Sequence, residues 1–280
     1  MKYKVKQYLM FAGVSTVLFS AVVILPFIYG LYLTFTSWDG VSKEKPFVGL
    51  ANYIATFQDA AYWQALGRTL IYSVIAVILV NVVAFFLAYL LTSGIKGQNF
   101  FRAGFFVPNL IGGIVLGYVW QLIFDGILGK FDLALKLNAK FGFWGLVILI
   151  CWQQIGYMMI VYIAGLQAIP GSLNEAAMID GANARQRLFK ITIPMMMPSI
   201  TICTFLTITN SFKLFDQNLS LTSGEPMHQT EMMALNIYDT FYGHVGFEGV
   251  GQAKAVIFFI IVVAIGLIQL RATRDKEVQQ

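Results

Sequence analysis

Six long stretches almost free of charge run through this chain, at 8–38, 69–95, 103–124, 143–173, 198–212 and 255–270. About 20 apolar residues make a helix long enough to cross the hydrocarbon of a bilayer. Lipid offers backbone groups no hydrogen-bond partner, so each stretch must satisfy its own as a helix. Composition agrees, with 58% of residues hydrophobic and 12% charged, about half the charged share of a soluble domain. The expected fold is therefore all-α: a polytopic membrane protein with six transmembrane helices in one domain, 1–280. The spans are expected near 8–36, 69–94, 103–124, 143–168, 197–215 and 253–271. The last two are short between charges, and Lys213 and Lys254 are expected to snorkel to the interface. The first run follows Lys2, Lys4 and Lys6 but is too long for a signal-peptide core and lacks a small-residue cleavage site, so it reads as an uncleaved anchor.

Loop charges orient the chain. Eleven of the 19 Lys and Arg residues fall on the side holding both termini and the 170–196 segment, among them Lys96, Arg102, Arg185, Arg187, Lys190 and Arg271. The positive-inside rule puts that side in the cytoplasm. The net charge of +5 is scattered over loops, so nucleic acid is not an expected partner. Cys151 and Cys203 lie in apolar runs, and His228 and His244 lack a second ligand at a useful spacing, so neither disulfide nor metal site is expected. Pro26 and Pro108 should kink their spans, and Gly112, Gly113 and Gly117 offer a face for close packing. The aromatic stretch from Asn52 to Leu66 suggests an interfacial helix with Tyr62 and Trp63 at headgroup depth. The loop 216–251 reads either as a solvated loop or as a segment folded back on the membrane or receiving a partner. Gly129-Lys130 is followed by Phe131, so the phosphate loop of a nucleotide-binding protein is missing.

Between the fourth and fifth spans lies a polar segment, 170–196, that reads as helix–turn–helix. Pro170-Gly171 ends the span, and Ser172 with Glu175 has capping-box spacing. About two helical turns follow, and Gly181 supplies the left-handed residue that stops them. Taken alone, Glu175 and Asp180 fit simple end caps. Ala176 and Ala177 allow close backbone approach, while Met178 and Ile179 offer apolar contact, as in a plug awaiting a socket. Inside the spans, Gln153 and Gln154 sit beside Trp152 and Tyr157, and Thr204, Thr207, Thr209, Asn210 and Ser211 mark the fifth span. Polar groups at that depth usually face a helix-bundle interior. Amides beside aromatics suit sugars, with interhelical hydrogen bonding as the alternative, which is also the reading for Asn81.

The pattern Glu175-Ala176-Ala177-x-x-Asp180-Gly181-Ala182, with Ile191, Pro194 and Pro198 at their spacing, resembles the EAA loop of binding-protein-dependent ABC importer permeases. One departure is Leu188, where the family usually has Phe; Phe189 is adjacent. Ser37-Trp38-Asp39, Phe47-Val48-Gly49-Leu50-x-Asn52-Tyr53, Phe100-Phe101-Arg102 and Ala164-Gly165-Leu166-Gln167-x-Ile169-Pro170 are similar to the carbohydrate branch. Leu221-Thr222-Ser223-Gly224-Glu225-Pro226 is similar to a motif of the maltose and glycerol-phosphate type, in the first of its two permease subunits, with Glu225 replacing a glycine.

The resemblance implies a type I ABC importer permease fold with a cytoplasmic coupling helix. Glu175, Ala176, Ala177, Met178, Asp180, Gly181, Ala182, Ile191 and Pro194 would contact an ATPase dimer that binds ATP and Mg, leaving this chain without a cofactor or catalytic residues of its own. Trp152, Gln153, Gln154, Tyr157, Thr207, Asn210 and Ser211 would line the substrate path. A second homologous permease, an extracytoplasmic sugar-binding protein and membrane lipid complete the implied partners, and the implied function is the pore of an ATP-driven sugar importer. A permease for a polyol, glycerol phosphate or peptide is the alternative, although no basic residue is expected deep in the fourth or fifth span. A secondary transporter would need mid-membrane Asp, Glu or His, which the spans lack, and a membrane scaffold is the remaining reading.

Overall fold

The computed structural model describes residues 11–274. The expected start of the first span at 8–10, Lys2, Lys4, Lys6 and Lys276 lie outside the described residues. The described chain is helical, with one isolated antiparallel bridge between Thr36 and Phe47. Five of its helices are long and apolar enough to cross a membrane, or six if one sharply bent pair counts as a span. It divides into two compact units. One holds the described residues up to Tyr62 with Asn236–Phe259; the other holds Trp63–Leu235 and the described residues from Ile260 onward.

In the first unit, α1 (Gly13–Leu33) runs through a π-helical turn at Ser20–Ile24 just before Pro26. A wider turn at that point accommodates the proline's missing N–H, so the expected kink takes the form of a π-bulge. The short α2 (Ala51–Gln58) is pinned to the end of α1 by Asn52, whose Nδ2 donates to the carbonyls of Thr34 at 2.8 Å and Thr36 at 2.9 Å. Helix α3 (Ala60–Thr92) then begins earlier than the second span was expected to. Tyr62 is fully buried in the first turn of α3, its ring enclosed by protein. Its hydroxyl donates to the Lys254 carbonyl at 3.2 Å.

Lys254, expected at the interface, is buried. It does not snorkel; its side chain is 3% exposed and pairs with Asp59 at 2.6 Å. Its ammonium also donates to the Thr240 hydroxyl at 2.7 Å and the Asn236 carbonyl oxygen at 3.1 Å. An ammonium has three protons to place, and three oxygens take them, so burial leaves it fully satisfied.

In the second unit, the expected third span 103–124 is interrupted. Helix α4 (Gln98–Phe106) passes into a 3-10 turn at Val107–Leu110, Ile111 and Gly112 are extended, and α5 (Gly113–Leu128) starts afresh. Pro108 has no N–H to continue the α-helical ladder, which explains the break. Helix α6 (Ala139–Ala168) is capped by Asn138, whose Oδ1 accepts from the Lys140 N–H at 2.9 Å. It packs on α3 through Ala76, Val80, Ala84 and Ala88, a run at every fourth residue whose small side chains lie on one face. Gly156 of α6 meets the α4 backbone so closely that a β-carbon there would sit 1.8 Å from the Phe105 oxygen.

Beyond α6 come α7 (Gly171–Ile179), α8 (Ala184–Met195) and α9 (Met197–Phe212), the last two bent by 67° where they meet. The fifth helix thus stops at Phe212, short of 215. The next segment packs on the chain itself: α10 (Asp216–Leu221) lies against α5, and a β-carbon on Gly117 would fall 1.8 Å from Ser220 Oγ. The glycine face of the third span therefore receives this short helix. Buried Asn218 ties the segment together, donating to the Thr230 carbonyl at 2.9 Å and accepting from the Met232 N–H at 2.8 Å. Helices α11 (Met233–Gly243) and α12 (Glu248–Arg274) finish the described chain.

Candidate functional site

Two features built by the second unit stand out. The first is the segment around α7. Its helix starts at Gly171 with no side-chain cap, so Ser172 already lies inside the first turn and the Ser172–Glu175 box does not form. The capping box sits one helix later instead. The Asn183 Oδ1 accepts from the Gln186 N–H at 2.9 Å, and the Gln186 Oε1 accepts from the Asn183 N–H at 2.8 Å.

The stop at Gly181 is where it was expected, with φ +78°. The Ala182 N–H donates to the Ala177 carbonyl at 2.9 Å and the Gly181 N–H to Met178 at 3.1 Å, the paired bonds of a Schellman cap. That cap turns the chain so that Ile179, 86% exposed, and Met178, 51% exposed, stand out at the helix end. Glu175, Ala176, Asp180 and Gly181 are likewise exposed, Ala177 and Ala182 half-buried. Ile191 and Pro194 are half-buried in α8, where a π-helical turn at Leu188–Thr192 precedes the proline. An exposed apolar tip is thereby joined through α8 to the inner helix α9.

The second feature is a polar cavity of about 300 Å³ lined by Asn109, Ile150, Gln153, Gln154, Asn210, Lys213, Asp216 and Gln217. Five of these carry amides. Gln153 Oε1 accepts from Gln217 Nε2 at 2.8 Å, and its Nε2 donates to the Ile111 carbonyl at 3.3 Å. That carbonyl lies in the extended break after Pro108, so the interruption of the third span furnishes part of the wall. Gln154 Oε1 is buried with no hydrogen-bond partner. A buried, unpaired amide oxygen costs about 1–3 kcal/mol, and a hydroxyl donor entering the cavity would relieve it.

Three of the seven residues expected to line a substrate path, Gln153, Gln154 and Asn210, are brought together here. The other four are not. Trp152 stacks edge-on with Trp120 at 5.5 Å between ring centres, and Tyr157 is exposed. The Thr207 hydroxyl donates to the Cys203 carbonyl at 2.8 Å and accepts from Asn81 Nδ2 of α3 at 3.3 Å, and Ser211 donates to the Thr207 carbonyl at 2.7 Å, so Thr207 is engaged between helices and Ser211 within α9. Asn81 is an interhelical contact as expected, accepting from Tyr162 at 2.7 Å. Lys213 is exposed and also lines the cavity, placing a cation there. Asn109, Asp216 and Gln217 were missed. Asn109 follows a helix-breaking proline and so carried a local signal; Asp216 and Gln217 join only because α10 folds back.

A membrane-embedded helical chain with a polar cavity and an exposed, glycine-stopped helix joined to the cavity's own helix has the build of a translocation subunit. Residues 81–274 match the model of the family described as binding-protein-dependent transport system inner membrane component, well over half the chain. The chain belongs to that family and is an inner membrane component of an ABC importer. It is 41% identical, over 97% of its length and 95% of the relative's, to the probable starch degradation products transport system permease protein AmyD of Thermoanaerobacterium thermosulfurigenes. It is 32% identical to the sn-glycerol-3-phosphate transport system permease protein UgpA of Brucella abortus, covering 86% of this chain and 85% of that one. Among solved structures, a bacterial ABC transporter involved in import of the acidic polysaccharide alginate superposes with a TM-score of 0.81, covering 98% of both chains at 18% identity. The fold is that of the type I importer permeases.

Proposed function

We propose that this chain is the first of two permease subunits in an ATP-driven importer of neutral oligosaccharides. The observation that carries the reading is the cavity: five amides, one of them a buried oxygen without a partner, beside one lysine and one aspartate. Sugar hydroxyls both donate and accept, which matches a wall of amides. Near-identity of length and 41% identity with a starch-product permease support a glucan fragment as cargo. A second reading, glycerol phosphate, is favoured by Lys213 and by the relative of that name. Asp216 in the same cavity opposes a dianion, so the neutral sugar is preferred.

Energy comes from outside the chain. A partner ATPase dimer binds ATP and Mg and grips the exposed end of α7, with both termini and that helix in the cytoplasm. Closure of the dimer pushes α7, and α8 transmits the movement to α9, which carries Asn210 into or out of the cavity. Taking a two-state switch from 1:99 to 99:1 requires about 5.5 kcal/mol of differential binding, within reach of a protein interface. A second permease closes the pore, and an extracytoplasmic binding protein delivers the sugar.

The test is transport in proteoliposomes holding the whole complex. Gln154→Leu and Asn210→Ala should raise the KM for a malto-oligosaccharide at least tenfold while leaving ATPase recruitment unchanged. Unchanged KM in both variants would remove the cavity from the substrate path. Glycerol phosphate transported in place of the sugar would select the second reading.

A further inference from the structure

We propose that the second unit carries a binding site for one anionic phospholipid, at the end of α3 beside α8. Nothing in this reading depends on which solute is transported. Two hollows meet there. A polar pocket of about 310 Å³ is walled by Thr92, Asn174, Arg187 and Thr192. An apolar groove of about 590 Å³ is walled by Val82, Phe85, Phe86, Tyr162, Ile193 and Ile200. Tyr89 and Leu188 line both, so the two lie side by side.

The polar end holds a cation in search of an anion. Arg187 Nε is buried and makes no hydrogen bond. Guanidinium groups pair best with phosphate or carboxylate, through several donors held in one plane. Exposed Arg185 and Lys190 stand nearby in sequence, and among the described residues neither hollow is lined by an acidic side chain.

Depth fits a lipid as well as charge does. The polar pocket lies at the last turn of α3, which ends at Thr92, and at the last turn of α6 through Leu166 and Ile169. These are the levels at which membrane helices meet headgroups. From Tyr89 back to Asn81 the groove follows α3 over eight residue steps, roughly 12 Å at 1.5 Å per residue. Half a hydrocarbon core is about 15 Å, so an acyl chain lying in the groove reaches nearly to mid-membrane. Basic pockets between helices with an apolar channel below are how anionic headgroups are held. A helix of another protein could fill the groove but would leave Arg187 without its anion.

Native mass spectrometry of the detergent-purified importer, titrated with dioleoyl phosphatidylglycerol or dioleoyl phosphatidylcholine, tests this. The expected result is one saturable phosphatidylglycerol adduct, bound at least tenfold more tightly than phosphatidylcholine. Arg187→Gln should reduce that preference to near unity. Val82→Trp, at a position 63% exposed in this chain, should weaken both lipids by blocking the groove, and it decides the matter if Arg187→Gln fails to assemble. Wild-type lipid binding in both variants would overturn the site. So would equal competition by inorganic phosphate, which would make it a free-anion pocket. A disulfide formed between Val82→Cys and a cysteine in the second permease would assign the groove to protein and overturn it too.

Discussion

Replacing Gly181 should uncouple the ATPase from transport in a graded order set by backbone conformation alone. Gly181 sits at φ +78°, and a β-carbon built there meets nothing within 4 Å. Alanine therefore costs only the left-handed strain of an L-residue, about 1–2 kcal/mol. That corresponds to a roughly 5–30-fold loss in the population of the correctly capped α7. Asparagine tolerates the left-handed region and should lose far less. Proline, confined near φ −65° and unable to donate to the Met178 carbonyl, should cost about 3 kcal/mol or more. The assay is ATPase activity of the proteoliposome complex, stimulated by loaded binding protein. Stimulation should fall in the order asparagine, alanine, proline, while complex yield and sugar affinity stay put. Asparagine as damaging as proline would show that residue size, not backbone hand, governs the site. Full stimulation in the proline variant would show that the α7 end does not couple at all.

Other consequences follow from the packing. Asp59→Asn should destabilise the complex more than Lys254→Met, because it strands an ammonium whose side chain is 3% exposed, whereas the reverse change strands a carboxylate that is 31% exposed. Breaking a buried pair costs about 3–5 kcal/mol, read as a drop in melting temperature in detergent, and equal losses would argue against the asymmetry. Burial works to raise the Asp59 pKa, but the hydrogen bond and charge of Lys254 outweigh it and hold the carboxyl below its ordinary 3.8. Its stabilising contribution is thus complete above that value and lost as pH falls through the lower native pKa. Acid melting curves of wild type and Asp59→Asn should converge at the low end, and parallel curves would refute the assignment. Gly156→Ala should destabilise by about 1–3 kcal/mol, the usual penalty for overpacking, since backbone at Phe105 blocks the new methyl; an unchanged melting temperature would mean that α4 and α6 separate freely.

Part of the 170–196 segment was legible because its signals are local. The glycine stop acts within about four residues, and Gly181 did what its neighbours implied, whereas the capping box formed at Asn183 and Gln186 and not at Ser172 and Glu175. The cavity was only half legible. Gln153 and Gln154 are conspicuous in an apolar run, but which side of α6 faces inward separates them from Trp152, and that phase depends on packing. Gln217 reaches Gln153 from 64 positions away, a distance over which periodicity says nothing.

The division follows from where the free energy is decided. Lipid provides no alternative partner for an exposed N–H or C=O, so apolar runs become helices whatever surrounds them, and the sequence by itself determined an all-α membrane chain with a polar helix–turn–helix between its fourth and fifth spans. Charged and amide side chains have partners to choose from. Lys254 could reach for water at the interface or for Asp59, Asn236 and Thr240, and only the tertiary arrangement that brings those three oxygens together made burial the lower state.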